Sequence, residues 1–320
     1  MANATTTFNR ATIEPLPDNI QSAQPGGGVC YRLELAWGVL RRRYLRRYCP
    51  GYVERMRRLR RGDTAGCPHE VLDPRDLKYH RNQCRCVWDE TDDPFGWRGR
   101  LGLARWGLAE LQLLGYPLAL VAVATAARGW WVWPLPALLA GLLVYFFRDP
   151  ARRIPREAGV VVAPADGKIV EITRLAHDEY LAAPAIRIGI FLSIFDVHIN
   201  RAPVRARVVG LRYQPGKFLN ALRPASTVEN ESMWIALEED EPPHRRFAVR
   251  QISGQIARRI VCDLAPAQLV ERGEKFGMIK LGSRTELILA ESDDLRIEVA
   301  LRQRVKAGAT VVARYALAES

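Results

Sequence analysis

A serine, a histidine and a carboxylate stand far apart in this sequence, at Ser283, His198 and Asp166. Together they have the makings of a nucleophile system: a hydroxyl to attack, an imidazole to take its proton, and a carboxylate to orient the imidazole. Each also has a plainer reading. Asp166-Gly167 in "APADGKI" has the composition of a hairpin turn. His198 interrupts an otherwise apolar strand, "FLSIFDVHINRAP", where a histidine is commonly a satisfied core or edge residue. Gly282-Ser283 separates two strand-like runs in "KFGMIKLGSRTELIL", and glycine next to serine suits a tight turn. A hydrolase setting is missing, because no Gly-x-Ser-x-Gly elbow surrounds the serine and the glycine directly precedes it. Chain order does not choose between these readings, since such sets are defined by geometry.

The elements that would position the three residues lie after Pro155. Short β-branched segments bounded by glycine and proline follow one another: "GVVVAPADGKIVEI", "AIRIGIFLSI", "ARVVGLRY", "RFAVRQI", "RRIVCDL", "TELILA", "LRIEVAL" and "ATVVARYAL". They predict a mostly β (α+β) domain, barrel-like or built of two packed sheets. Within it only Lys217–Arg223, "KFLNALR", reads as clearly helical. There is no internal repeat and no dinucleotide or phosphate-loop glycine pattern.

Before this domain runs "WGLAELQLLGYPLALVAVATAARGWWVWPLPALLAGLLVYFF", residues 106–147. Its two arms, to Ala127 and from Trp130, each approach the roughly 20 residues needed to cross a bilayer core, and Trp106, Trp130, Trp131 and Trp133 sit where an interfacial belt would put them. Arginines at 98, 100 and 105 precede the hairpin and those at 148, 152 and 153 follow it, while the tip carries Arg128 alone; both flanks are therefore expected on the cytoplasmic side. A buried hairpin in a soluble core is the alternative. Prolines 117, 134 and 136 fit either a spanning or a re-entrant path.

Residues 28–105 form a basic, cysteine-containing region. "LELAWGVLRRRYLRRYCPGYVERMRRLRRGD" predicts two helices broken near Pro50-Gly51, read either as solvated or as lying on anionic lipid with Leu40, Tyr44, Leu45 and Tyr48 turned to the apolar side. Cys67, His69, His80, Cys84 and Cys86 are enough for a tetrahedral metal site, but Cys-x-His followed by His-x3-Cys-x-Cys is no standard knuckle, so the expectation is reduced cysteines and no metal. Residues 1–27 read as a flexible leader without a secretion signal. The 320 residues carry 47 lysines and arginines against 35 acids, a formal +12, which suits an anionic partner, either a phospholipid surface or nucleic acid.

The strings "YFFRDPARRIP", "PADGKIV", "IGIFLSIFDVHINRAPV", "PGKFLNA", "ENE", "GQIARRIV" and "GEKFGMIKLGSRTELIL" occur in this order over residues 107–315. Taken together the region resembles the phosphatidylserine decarboxylase proenzyme family, in the short form found in many bacteria and archaea. The resemblance implies that residues 148–320 are a pyruvoyl decarboxylase domain cleaving itself between Gly282 and Ser283. By that resemblance Ser283 attacks the Gly282 carbonyl, an acyl shift gives an ester, and elimination and hydrolysis leave a covalent pyruvoyl group on residue 283. His198 would be the general base and Asp166 its orienting partner. It further implies a cell-membrane enzyme of the cytoplasmic face that converts phosphatidylserine to phosphatidylethanolamine, its large and small chains staying associated, with an anionic lipid surface and no nucleic acid as partner; homo-oligomerisation is left open. Lys217 in "PGKF" is a candidate for the lipid phosphate. One departure stands out: some family members carry a second histidine where this chain has Phe195. The alternatives are an uncleaved lipid-binding scaffold and a pyruvoyl decarboxylase of another amino-bearing phospho-ester.

Overall fold

Proline and glycine punctuate the first half of the chain in a computed structural model that describes residues 10–62, 87–89, 91–223, 225–255, 259–280 and 282–316. Two compact units result, one of residues 21–151 and one of 1–20 with 152–320. In the first, α1 (Val29–Tyr48) stops at Cys49, and Pro50 opens α2 (Pro50–Leu59) at a position where its missing N–H has no intrahelical partner to lose. The break predicted at Pro50-Gly51 is therefore present. An antiparallel ribbon of β1 (Arg60–Arg61) and β2 (Val87–Trp88) closes a small core of Met56, Trp88 and Phe95. The five-residue metal-ligand candidate, Cys67, His69, His80, Cys84 and Cys86, lies outside the described residues.

The apolar hairpin begins with a 3-10 turn and α3 (Leu108–Glu110), continues through a π-helical stretch at 111–115, and becomes α4 (Tyr116–Ala127). The π turn has a cause: Pro117 has no N–H to return to the carbonyl four residues back, so the ladder is rerouted just before it. The continuous helical run Arg105–Ala127 has 23 residues. At 1.5 Å per residue that is about 35 Å, long enough for a hydrocarbon core of about 30 Å. The return arm is shorter than expected from sequence. Trp131–Trp133 form a turn and α5 (Pro134–Phe146) has only 13 residues, about 20 Å. Pro134 and Pro136 both fall in its first turn, where prolines start helices and do not extend them backwards.

In the second unit an open, curled antiparallel sheet has the order β11-β7-β8-β9-β13-β5-β4-β15. Its strands are β4 (Gly167–Asp178), β5 (Ala183–Leu192), β7 (Ala206–Gln214), β8 (Ser232–Glu239), β9 (Arg246–Ile252), β11 (Leu269–Val270), β13 (Ser283–Ala290) and β15 (Arg304–Val305). Two three-stranded sheets complete the unit: β10 (Arg259–Cys262), β12 (Lys275–Lys280) and β6 (Ile199–Arg201); and β14 (Leu295–Ile297), β16 (Val311–Tyr315) and β3 (Val160–Val162). Ile188, Ile190, Leu192, Val249, Ile279, Leu287, Leu289 and Val312 share one buried core among these sheets. The predicted mostly β domain preceded by a hairpin and basic helices is the fold observed. Each residue of β13 is buried, because β9 and β5 flank it and both faces are covered.

Two local expectations are corrected. The described part of the leader is not a free tail: Glu14 N–H donates to the Val209 carbonyl of β7, Asn19 donates to the Tyr213 carbonyl, and Ile20 is buried in the core. Residues 217–223 form no helix; the short α6 (Ser226–Glu229) comes later. The reason is Asn230, whose side chain accepts from the Leu219 N–H and donates to the Leu219 carbonyl, engaging the groups a helix through Leu219 would need.

Candidate active site

Gly282 and Ser283 stand at the entrance of the central strand, and β13 starts with Ser283 itself, paired with Leu192 of β5. Gly282 has φ +65°, a conformation that glycine adopts without strain. Its carbonyl is packed hard against Gly254, where a Cβ would lie 2.2 Å from the Gly282 oxygen, so no other residue fits at 254 without movement. Ser283 is fully buried, and its Oγ has no hydrogen-bond partner among the described residues. A buried hydroxyl left unpaired at such a junction calls for a functional account.

His198 is brought to this junction by β6. Asn200, two residues further along, donates to Thr285 Oγ1 of β13 at 3.0 Å and accepts from Gln251 Nε2 of β9 at 2.9 Å, which fastens β6 across the inner face of the large sheet. His198 is 1% exposed. Its Nδ1 lies 2.9 Å from the Asp196 carbonyl, which can only accept, while its Nε2 lies 3.2 Å from the Gly282 N–H, which can only donate. These two partners assign one tautomer, a neutral imidazole with the proton on Nδ1 and a lone pair on Nε2 turned to the Gly282-Ser283 junction. The Asp196 carboxylate accepts from the N–H and Oγ of Ser193 and pairs with Arg304, holding the turn that carries the histidine.

Asp166 has other partners than the one expected. One carboxylate oxygen accepts from the Ala307 N–H at 2.8 Å and the other from Arg152 at 2.6 Å. The orienting position toward His198 Nδ1 is occupied by the Asp196 backbone carbonyl. Burial pushes the Asp166 carboxyl up, against the opposing pull of the Ala307 N–H and Arg152, and the Asp196 carboxylate adds to the rise. Arg152 is itself nearly enclosed, so its charge needs this carboxylate. Gly167 does not make a hairpin: it opens β4 with φ +148°, packed against the Phe191 carbonyl of the neighbouring strand.

Lys217 sits at the surface, its ammonium 2.7 Å from Glu229, and Phe195 is exposed on the turn before His198. Asn200, Gly254, Asp196 and Arg152 are the positioning residues that sequence reasoning missed. Only Asn200 left a readable sign, since two residues after His198 in a strand places it on the same face. Among the described residues no cluster of three or more His, Cys, Asp or Glu could hold a metal.

A family model described as phosphatidylserine decarboxylase matches residues 139–313, a span containing Asp166, His198, Gly282 and Ser283. A phosphatidylserine decarboxylase proenzyme of Rhodopirellula baltica is 49% identical over 242 residues, 75% of this chain and 99% of the relative. The chain belongs to the phosphatidylserine decarboxylase family. Two further phosphatidylserine decarboxylase proenzymes are similar: that of Nitrosomonas eutropha, 43% identical over 188 residues (58% of this chain, 84% of the relative), and that of Carboxydothermus hydrogenoformans, 40% identical over 197 residues (62% and 91%). The phosphatidylserine decarboxylase match begins at 139, within α5, and leaves the basic helices outside it.

Proposed function

We propose that this chain is a proenzyme that cuts itself between Gly282 and Ser283 and then decarboxylates phosphatidylserine to phosphatidylethanolamine through a pyruvoyl group on residue 283. The observation that carries the reading is the neutral Nε2 of His198 at 3.2 Å from the Gly282 amide, next along the chain to a buried serine hydroxyl with no hydrogen-bond partner among the described residues. Nε2 is the base for the Ser283 hydroxyl proton. The freed oxygen attacks the Gly282 carbonyl carbon, held in place over Gly254, and the Gly282-Ser283 amide becomes an ester on Oγ. Loss of a proton from the Ser283 Cα then expels the Gly282 carboxylate, and hydrolysis releases ammonia. Asp166 acts at one remove, countering the Arg152 charge and lying close enough to Asp196 to feel its carboxylate.

The residues at the junction fit the group that the family implies: a serine at the processed position, glycine before it, and a buried site that excludes bulk water. When formed, the pyruvoyl carbonyl supplies an electron sink for the pair left as carbon dioxide departs. His198, charged by then, is the acid we assign to return a proton to the substrate carbon.

The lipid substrate accounts for features outside the chemistry. Ile194 and Phe195, on the turn that carries His198, and Leu222 and Val228, on the segment whose Ala221 lies next to Gly254, are all exposed. Such a rim suits a bilayer surface, and the apolar hairpin suits an anchor. An α5 of about 20 Å favours a hairpin that dips into the membrane and returns. The arginine-rich flanks favour the cytoplasmic leaflet. Lys217, paired with Glu229, keeps a role toward the lipid phosphate only if it exchanges that partner for the ligand.

Intact-mass measurement of the undigested protein tests the reading. The expected result is two chains, the smaller one covering 283–320 with a first residue lighter than serine by the difference for pyruvoyl. Ser283→Ala should give one uncut chain with no decarboxylation, and an active Ser283→Ala protein would sink the mechanism.

A further inference from the structure

The inner face of the large sheet holds two more unpaired oxygens in line with Ser283. Ser232 pairs with Ile252, and Ile252 pairs with Arg284. One step along, the antiparallel register aligns Glu231, Ser253 and Ser283 across three adjacent strand paths, and the Ser253 N–H donates to the Glu231 carbonyl at 2.9 Å. Neighbouring strands lie about 4.8 Å apart, so Glu231 starts about 10 Å from residue 283 with only the short Ser253 between them. Both Ser253 Oγ and Glu231 Oε2 are buried without a hydrogen-bond partner among the described residues; the other carboxylate oxygen of Glu231 accepts from Tyr213 at 3.1 Å. Three bare oxygens in one row call for a ligand that brings donors. An ammonium group brings three.

Resting on the decarboxylase reading above, we propose that Glu231 and Ser253 receive the α-ammonium of phosphatidylserine beside residue 283, and that Glu231 takes one of its protons. The step is balanced: the ammonium and the carboxylate become an amine and a carboxylic acid, with one N–H bond broken and one O–H bond made. Its purpose is plain, since an ammonium has no lone pair with which to attack a carbonyl carbon and the amine does. The groups around Glu231 suit this exchange. Burial pushes its carboxyl up, opposed by the hydrogen bond from Tyr213 on β7 and by the Arg259 guanidinium at the start of β10, so it holds a proton better than an exposed glutamate. Lipids lacking the ammonium would have no claim on the row.

The test separates an ammonium from a nucleophile that is neutral near pH 7. Full-length wild type and Glu231→Gln are checked for cleavage by intact mass, labelled with phenylhydrazine, and trapped with phosphatidylserine vesicles and cyanoborohydride, reading adduct on the small chain. Glu231→Gln should be cut and should label with phenylhydrazine at the wild-type rate. Its phosphatidylserine adduct should form on the order of 100-fold more slowly at pH 7, recovering about tenfold per pH unit as the free amine appears. Glu231→Asp, which keeps the carboxylate, should regain most of the adduct without that slope. Equal losses with both probes, an uncut Glu231→Gln, or unchanged phosphatidylserine trapping would each overturn the assignment. Absence of phenylhydrazine label in wild type would instead overturn the pyruvoyl reading, and with it this one.

Discussion

The charged groups on the outer face of β13 and the oxygens in line with Ser283 on its inner face are partnered differently. On the outer face Arg284 and Glu286 join Glu171, Arg187 and Arg250 from the flanking strands, and each charge has an opposite one within 4.0 Å. On the inner face Ser283 Oγ, and across the next strand paths Ser253 Oγ and Glu231 Oε2, are buried and have no hydrogen-bond partner among the described residues. Arg284 and Glu286 are buried much as the inner-face groups are, so for them solvent access does not explain the contrast. A charge that serves the fold must be matched within the fold, whereas a group that serves a reaction keeps its valence open for a partner that comes later.

That contrast can be broken or sharpened by measurement. On the inner face the largest expected effect is in His198→Gln, which should slow self-cleavage by about 10²- to 10⁴-fold, the range for loss of a general base, while a thermal melt stays close to wild type. Rapid cleavage in that variant would remove the base from the mechanism. On the outer face Glu286→Gln should do the reverse, lowering the denaturant midpoint by an amount equivalent to about 3 kcal/mol or more, because the buried Arg284 and the largely covered Arg250 lose a counter-charge. The folded fraction should still cut itself. Gly254→Ala should slow cleavage on the order of 100-fold by displacing the Gly282 carbonyl, read as persistence of the uncut chain on a gel.

The smallest effect is in the pH dependence of stability, where the two faces should differ in sign. Burial pushes Glu171 up, but hydrogen bonds from Arg284 and Arg187 outweigh it and bring the carboxyl to about 2. Its stabilisation is thus complete above the ordinary glutamate range and is lost as pH falls through about 2. Glu231 is raised, so its ionisation opposes folding, and stability falls as pH rises through its elevated value. Denaturant midpoints from pH 2 to 8 for wild type, Glu171→Gln and Glu231→Gln should resolve two opposite trends, each removed by its own substitution.

The strands, the break at Pro50 and the Gly282-Ser283-His198 set were legible because each depends on local chemistry: β-branched runs, a proline without a donor, a lone histidine in an apolar strand. What escaped depends on partners distant in sequence. Asp166 was read with His198, but a nearly enclosed guanidinium 14 residues before it makes the stronger demand. The Lys217–Arg223 helix lost to Asn230, and the Asp166-Gly167 turn lost to the Phe191 carbonyl. The leader has no periodicity to announce that Ile20 belongs to the core.

With the cut proposed at Gly282-Ser283, the position of Ser283 at the head of the fully buried β13 would make folding a one-way act. Before cleavage, loop closure delivers β13 to its slot between β5 and β9 as part of a single chain. After the proposed cleavage the same strand would belong to a separate piece starting at residue 283, held by pairing along both edges. Once denatured, that piece must find its sheet by collision, so recovery would depend on concentration. On that proposal the mature protein would be a nicked fold whose assembly instructions have been spent, stable in place and hard to rebuild.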